Sequence, residues 1–171
     1  NIIKKPGKLT DAEFNLVKTH PYAGYEILEK QNLNPHILNS AMMHHERCDG
    51  SGYPFGLTAE RIDDFAKIVA IADVYDAMTS ARVYRGAMCP FKVIEIFENE
   101  GLSKYDTKFL LTFIENVLNT YIRTHVRLSD GRTGEVIMIN KQSLSRPLIR
   151  AGSGYIDLSK EPDAVYIEEI I

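Results

Sequence analysis

From about Leu9 to Tyr121 the apolar residues recur at helical spacing, and after Arg123 they alternate with polar ones. The helical segments fall near residues 10–20, 22–31, 35–46, 60–79, 90–100 and 106–121, with one long loop after His45. The last carries Phe109, Leu110, Phe113, Ile114, Val117, Leu118 and Tyr121 as a stripe for a core. Beyond it, Val126-Arg127-Leu128, a Ser129-Asp130-Gly131 turn and Gly134 to Ile139 read as a hairpin, because Asp-Gly between alternating runs favours a tight turn. Residues 147–150, 155–158 and 164–167 read as further short strands. The expected class is mainly α, a helical domain at 1–121 followed by a small antiparallel β module at 122–171. The module carries no catalytic cluster and reads as an accessory for packing, dimerisation or regulation.

Local signals fix several helix starts. Thr10-Asp11-Ala12-Glu13 has the form of a capping box, opening a helix with Leu16 and Val17 inward and His20 at its end. Pro21 closes that helix or starts the next. Asn34 reads as an N-cap and Pro35 as a first helical residue, followed by the stripe Ile37, Leu38, Ala41 and Met42. His45 continues this stripe and His44 lies along its edge, so both rings point at least partly inward. Adjacent helical residues diverge by about a hundred degrees, so the pair can serve two metals, or one metal and one support. A core histidine bonded to a carbonyl beside an exposed one is the alternative.

Asp73 lies inside Ile68-Val69-Ala70-Ile71-Ala72 and Val74-Tyr75, a helix apolar on nearly every side and expected to be buried. A carboxylate there needs a cation or strong donors. Two readings stand: a metal ligand, or a partner of Arg82 or Arg85. Asp76 follows one turn later, where one carboxylate can bind metal while the other orients a ligand or an arginine. His36 and His125 have no such setting and read as structural or exposed.

The chain has 171 residues, 44% of them hydrophobic, enough for a sizeable core. Its formal net charge of −3 comes from mixed acids and bases without a basic run, which argues against a nucleic-acid polymer as partner. Cys48 and Cys89 have no CxxC spacing, so a reducing cytoplasm is the expected compartment. No apolar stretch approaches the roughly 20 residues that span a bilayer, and no secretory leader is evident, so membrane contact is not expected. The chain opens at Asn1 in what reads as the middle of a loop, as a fragment of something longer would.

In order, His20-Pro21, then His44-His45-Glu46-Arg47-x-Asp49-Gly50-x-Gly52-Tyr53-Pro54, then Asp73-x-x-Asp76-Ala77-x-Thr79-x-x-Arg82-x-Tyr84-Arg85 resemble the HD-GYP family of HD phosphohydrolases. The resemblance covers roughly Ile2 to Phe97 and implies a helical HD-type bundle that hydrolyses cyclic di-GMP to pGpG or GMP through a metal-activated water. By that resemblance His20, His44, His45 and Asp73 match metal ligands of a bi- or trinuclear site, usually iron or manganese, with zinc or nickel as substitutes. Asp73 and Arg82 are the catalytic candidates. Tyr53 and Arg82 match positions that hold the nucleotide's phosphate and base, and Arg85 a further basic contact. Glu46, Asp49, Gly50, Gly52 and Asp76 are supporting positions, the two glycines letting the loop approach a ligand.

Residue chemistry agrees. Imidazole and carboxylate ligands suit iron, manganese or zinc, and paired metals can clamp a phosphodiester for in-line attack. Two departures stand out. The family's His-Asp pair, followed by Gly-Lys, would lie upstream of Lys5-Pro6-Gly7, and Cys48 replaces a usual aromatic. The alternatives are an incomplete module that binds cyclic di-GMP or a signalling partner, an HD phosphohydrolase for another nucleotide, and a purely structural ion-pair network. A diguanylate cyclase, a sensor domain and a second copy of the chain are the protein partners considered.

Overall fold

The computed structural model describes residues 2, 5, 7–81 and 86–171. Among the described residues, seven helices lie at Asp11–Val17 (α1), His20–Leu28 (α2), Pro35–Met43 (α3), Asp64–Thr79 (α4), Pro90–Ile96 (α5), Leu102–Lys104 (α6) and Thr107–Asn119 (α7). Strands follow, among the same described residues, at His125–Leu128 (β1), Thr133–Met138 (β2), Leu148–Ala151 (β3), Gly154–Asp157 (β4) and Ile167–Ile170 (β5). Contacts divide the chain into two compact units, residues 1–87 with 102–110, and residues 88–101 with 111–171. The change from helical to alternating pattern at 121/122 marks where strands begin, whereas the packing groups α5 and most of α7 with the strands.

In the first unit the Thr10–Glu13 capping box forms, with the Thr10 N–H donating to Glu13 at 2.8 Å and the Glu13 N–H to Thr10 Oγ1 at 3.3 Å. The helix it opens is shorter than its pattern suggests. α1 stops at Val17, and His20 with Pro21 begins α2, where the missing N–H of proline costs nothing. Leu16, expected inward, is 59% exposed. Asn34 caps α3 by accepting the His36 N–H at 2.9 Å, as its sequence signals. α3 ends at Met43 rather than 46. His44 serves as its C-cap, and the Glu46 N–H turns back to the Met43 carbonyl at 2.8 Å, tightening the last turn.

α4 corrects one expectation. It buries only Ala66, Ala70 and Ile71, leaving Phe65, Ile68 and Val69 exposed, and the Asp73 side chain is 42% exposed rather than buried. The buried stripe consists mainly of small residues, so α4 packs closely along one narrow face. Leu57, Ile62 and Ala66 form a core cluster with Met43 against it. Among the described residues no helix is long and apolar enough to cross a membrane.

In the second unit the strands form one antiparallel sheet in the order β4-β3-β2-β1-β5. Val126 and Leu128 point inward and His125 and Arg127 outward, the alternation of a half-buried strand. Gly131 takes φ +87° in the β1–β2 turn, which favours glycine. The last strand begins at Ile167, three residues later than its pattern suggests. Ser129 explains the delay: its hydroxyl donates to the Ala164 carbonyl at 2.8 Å and accepts the Tyr166 N–H at 3.2 Å, while its own N–H donates to the Tyr166 carbonyl at 2.9 Å, so a side chain takes part of the bonding that a regular ladder would supply. α5 buries Phe91, Val93 and Ile94, and Glu98 accepts the Leu144 and Ser145 N–H groups at 2.6 and 3.1 Å.

Asp63 joins α3 to α4. One carboxylate oxygen caps α4 through the Phe65 N–H at 2.9 Å, and the other meets His36 Nδ1 at 2.8 Å and Asn39 Nδ2 at 2.9 Å. Burial raises its pKa, but the bonds from Asn39, His36 and Phe65 outweigh that and hold it below the ordinary carboxylate value. Because the folded value is depressed, the stabilisation is complete above the unfolded carboxylate pKa and is lost as pH falls through the folded one. Asp63→Ala is expected to cost about 1–3 kcal/mol at pH 7 in urea unfolding. The difference from wild type should shrink as pH falls below about 4.

Candidate metal centre

His20 at the start of α2 meets His44 and His45 at the end of α3. Nε2 of His20 lies 3.1 Å from Nε2 of His44 and 3.2 Å from Nε2 of His45. The backbone sets two of the three tautomers. His20 Nδ1 is 2.7 Å from the Val17 carbonyl, and His44 Nδ1 is 2.9 Å from the Ala41 carbonyl. A carbonyl can only accept, so each Nδ1 carries the proton and each Nε2 presents a lone pair. Lone pairs facing each other at 3.1 Å repel unless a proton or a cation lies among them. The three imidazoles therefore fit a metal ion, and they form the ligand group that the described residues offer one.

The electrostatics point the same way. Burial, then the neighbouring His44, His20 and Arg47, lowers the His45 pKa to about 3, so the ring is neutral at ordinary pH. Neutral imidazole is the form that binds metal. Both His44 and His45 are half-buried, while His20 is exposed at the rim.

Asp73 stands outside this convergence. Its Oδ2 lies 3.8 Å from Nδ1 of His45, the ring nitrogen other than the Nε2 that faces His20. Asp76 is exposed and accepts the Ser80 hydroxyl at 3.2 Å, and Asp49 is exposed and accepts the N–H and hydroxyl of Ser51 at 2.9 and 2.6 Å. Neither joins the three histidines. His36 stacks on Phe65, with ring centres 4.8 Å apart, and His125 is exposed on β1, as expected of structural or surface residues. Arg82 and Arg85 lie outside the described residues.

The loop after His45 is held by Glu46. This side chain is 2% exposed, and its two oxygens accept the N–H groups of Phe55 at 2.7 Å and Leu57 at 2.9 Å. The loop closes where Asp49 bridges Thr58. Gly50 takes φ +79°. A Cβ on Gly52 would lie 2.4 Å from Cα of Glu46 and 2.5 Å from N of Arg47, so the chain's own backbone, not a ligand, requires glycine here. This fold-back donates the Tyr53 N–H to the His45 carbonyl at 3.2 Å and lays the Tyr53 ring on His45, with centres 4.7 Å apart and planes at 28°.

Arg47 escaped the sequence reading as a functional residue. Its Nη1 donates to the carbonyls of Glu46 at 2.7 Å and His44 at 3.3 Å, and its guanidinium lies 5.0 Å over the Tyr105 ring. It thereby braces the backbone that carries two of the histidines. Its position directly after His-His-Glu was visible in the sequence, but the partner Tyr105 is far along the chain.

Fold and site together define a helical domain with a three-histidine centre fit for a metal ion. A family model described as HD domain matches residues 1–109. A cyclic di-GMP phosphodiesterase of Pseudomonas aeruginosa is 37% identical over 87% of this chain and 36% of its own length. A cyclic di-GMP phosphodiesterase response regulator of Xanthomonas campestris is 51% identical over 51% of this chain and 24% of its own. The chain thus spans about a third or less of these curated relatives. A solved HDG"Y"P protein of Bdellovibrio bacteriovorus superposes with a TM-score of 0.54 at 18% identity, covering 70% of this chain and 37% of that one, a likeness of fold. The chain belongs to the HD-domain family, in the HD-GYP branch that its ordered motifs define.

Glu46→Gln keeps the shape of the loop anchor but turns one acceptor into an NH2 facing a backbone donor. It is expected to cost about 1–3 kcal/mol in urea unfolding. It should also weaken manganese(II) binding, because Tyr53 and His45 share the loop's fold-back.

Proposed function

We propose that this chain is the metal-dependent phosphodiesterase module of a longer protein and hydrolyses cyclic di-GMP to pGpG or GMP. The observation that carries the reading is that Nε2 of His20 lies within 3.2 Å of Nε2 of both His44 and His45, with the His20 and His44 tautomers fixed by backbone carbonyls. Similarity to phosphodiesterases that bear this substrate in their names supports the choice of ligand.

His20, His44 and His45 hold the ion, with iron or manganese favoured and zinc or nickel as substitutes. When bound, the metal supplies Lewis-acid activation of water and neutralises charge on the phosphate. The chain's own residues do the rest. Tyr53 covers one face of His45, keeping that ring dry and oriented. The Asp73 carboxylate, 3.8 Å from His45 Nδ1 and so beyond direct hydrogen-bond distance, favours a proton on that nitrogen through its charge and so leaves Nε2 free as a ligand. This position favours a carboxylate behind the histidine over a fourth donor among the three Nε2 atoms. Arg82 and Arg85 remain the arginines that the resemblance assigns to the nucleotide, and the strand-rich remainder is an accessory to the catalytic region.

The test is product analysis after anaerobic loading with iron(II) or manganese(II). Wild type is expected to bind metal and convert cyclic di-GMP to pGpG or GMP, and His44→Ala with His45→Ala to lose both properties. Metal retained without turnover of any cyclic dinucleotide would favour a binding module instead. Asp73→Ala separates the two roles of that carboxylate. As a support for His45 it is expected to weaken metal about 10–100-fold while leaving the saturated stoichiometry unchanged, and as a ligand its loss would lower the stoichiometry.

A further inference from the structure

Tyr53, stacked on His45, meets a second aromatic ring. Phe14 of α1 stands edge-to-face with it, centres 6.4 Å apart and planes at 76°. One helical turn on, the Lys18 ammonium lies 4.7 Å from the Phe14 ring centre and 5.6 Å from that of Tyr53. A row of direct contacts therefore leads from the three imidazoles through Tyr53 to Phe14, with a cation over both outer rings.

Core packing does not account for this row. Phe14 is 45% exposed, and α1 buries none of its residues. A phenyl ring that keeps 45% of its surface in water forgoes close to half of the free energy its full burial would bring. A planar base stacked on it would recover that term, and an ammonium beside the base suits a phosphate. Both groups occur together, at short separation, in a nucleotide.

We propose that Phe14 and Lys18, with Tyr53, form the subsite for a purine base and its adjoining phosphate, set beside the three-histidine centre so that the phosphodiester reaches it. The assignment rests on the phosphodiesterase reading above. Phe14 supplies the stacking face, which is tolerant of base identity because every base has a π-face. Lys18 supplies charge, and on binding its ammonium moves from the ring face to the phosphate, uncovering Phe14.

The experiment compares wild type, Phe14→Ala, Phe14→Trp and Lys18→Gln, each loaded with manganese(II). Calorimetry gives Kd, and product analysis gives kcat and KM, for cyclic di-GMP and for an abasic analogue in which hydrogen replaces both guanines. Phe14→Ala is expected to raise Kd and KM for cyclic di-GMP about tenfold, with kcat within about twofold and the abasic analogue unaffected. Phe14→Trp should retain wild-type affinity. Lys18→Gln should weaken both ligands, since both keep the phosphates.

An unchanged Kd in Phe14→Ala overturns the subsite, as does equal weakening of both ligands with loss of metal, which would mark a structural role. Wild type that turns over the abasic analogue as well as cyclic di-GMP overturns it too, while leaving the phosphodiesterase reading intact. Binding without turnover, still weakened by Phe14→Ala, keeps the subsite and removes the hydrolytic reading. Absence of both binding and turnover in wild type removes both.

Discussion

A single buried carboxylate orders the site. Glu46 places an ionisable group in a position 2% exposed to water, a costly act unless both oxygens find donors. They do, in the N–H groups of Phe55 and Leu57, and this draws the loop back over the end of α3. The return path brings Gly52 so close to the Glu46 and Arg47 backbone that no side chain fits, and it sets Tyr53 on His45. Glu46 thus positions a ring against His45 without touching the three-histidine cluster itself.

The histidines depend on the two helix junctions in the same indirect way. The end of α1 offers the Val17 carbonyl, and the last turn of α3 offers the Ala41 carbonyl, unbonded groups of the kind every helix terminus leaves. Each accepts an Nδ1–H, so satisfying the helix ends fixes the tautomers. The same bonds aim the Nε2 lone pairs at one another. Arg47, bonded to the carbonyls of His44 and Glu46 and lying over Tyr105, stiffens the turn between them. A cation is the natural resolution of such crowded lone pairs.

Elements with local causes were legible in the chain. The Thr10–Glu13 box, the Asn34–Pro35 start, the Leu110, Ile114 and Leu118 stripe of α7 and the Asp130-Gly131 hairpin all depend on residues within a few positions of each other. Misreadings came where a distant partner competed. The late start of β5 follows from Ser129 bonding across more than thirty residues to Ala164 and Tyr166. The exposure of Asp73 follows from which face of α4 found neighbours, a matter its nearly uniform apolar pattern could not settle.

The order of His20, His44-His45-Glu46, the Gly-Tyr-Pro loop and Asp73 determined by itself the class of domain and the imidazole chemistry, because ligand type and spacing are properties of the chain. Tertiary structure alone decided that Nε2 of His20 meets Nε2 of both His44 and His45 while Asp73 lies by the other ring nitrogen of His45. It also decided that Gly52 serves the backbone, and that Phe14 and Lys18 extend the row of rings. Each of these depends on contacts between segments far apart in sequence, where a few tenths of an ångström in helix placement settle which atoms meet.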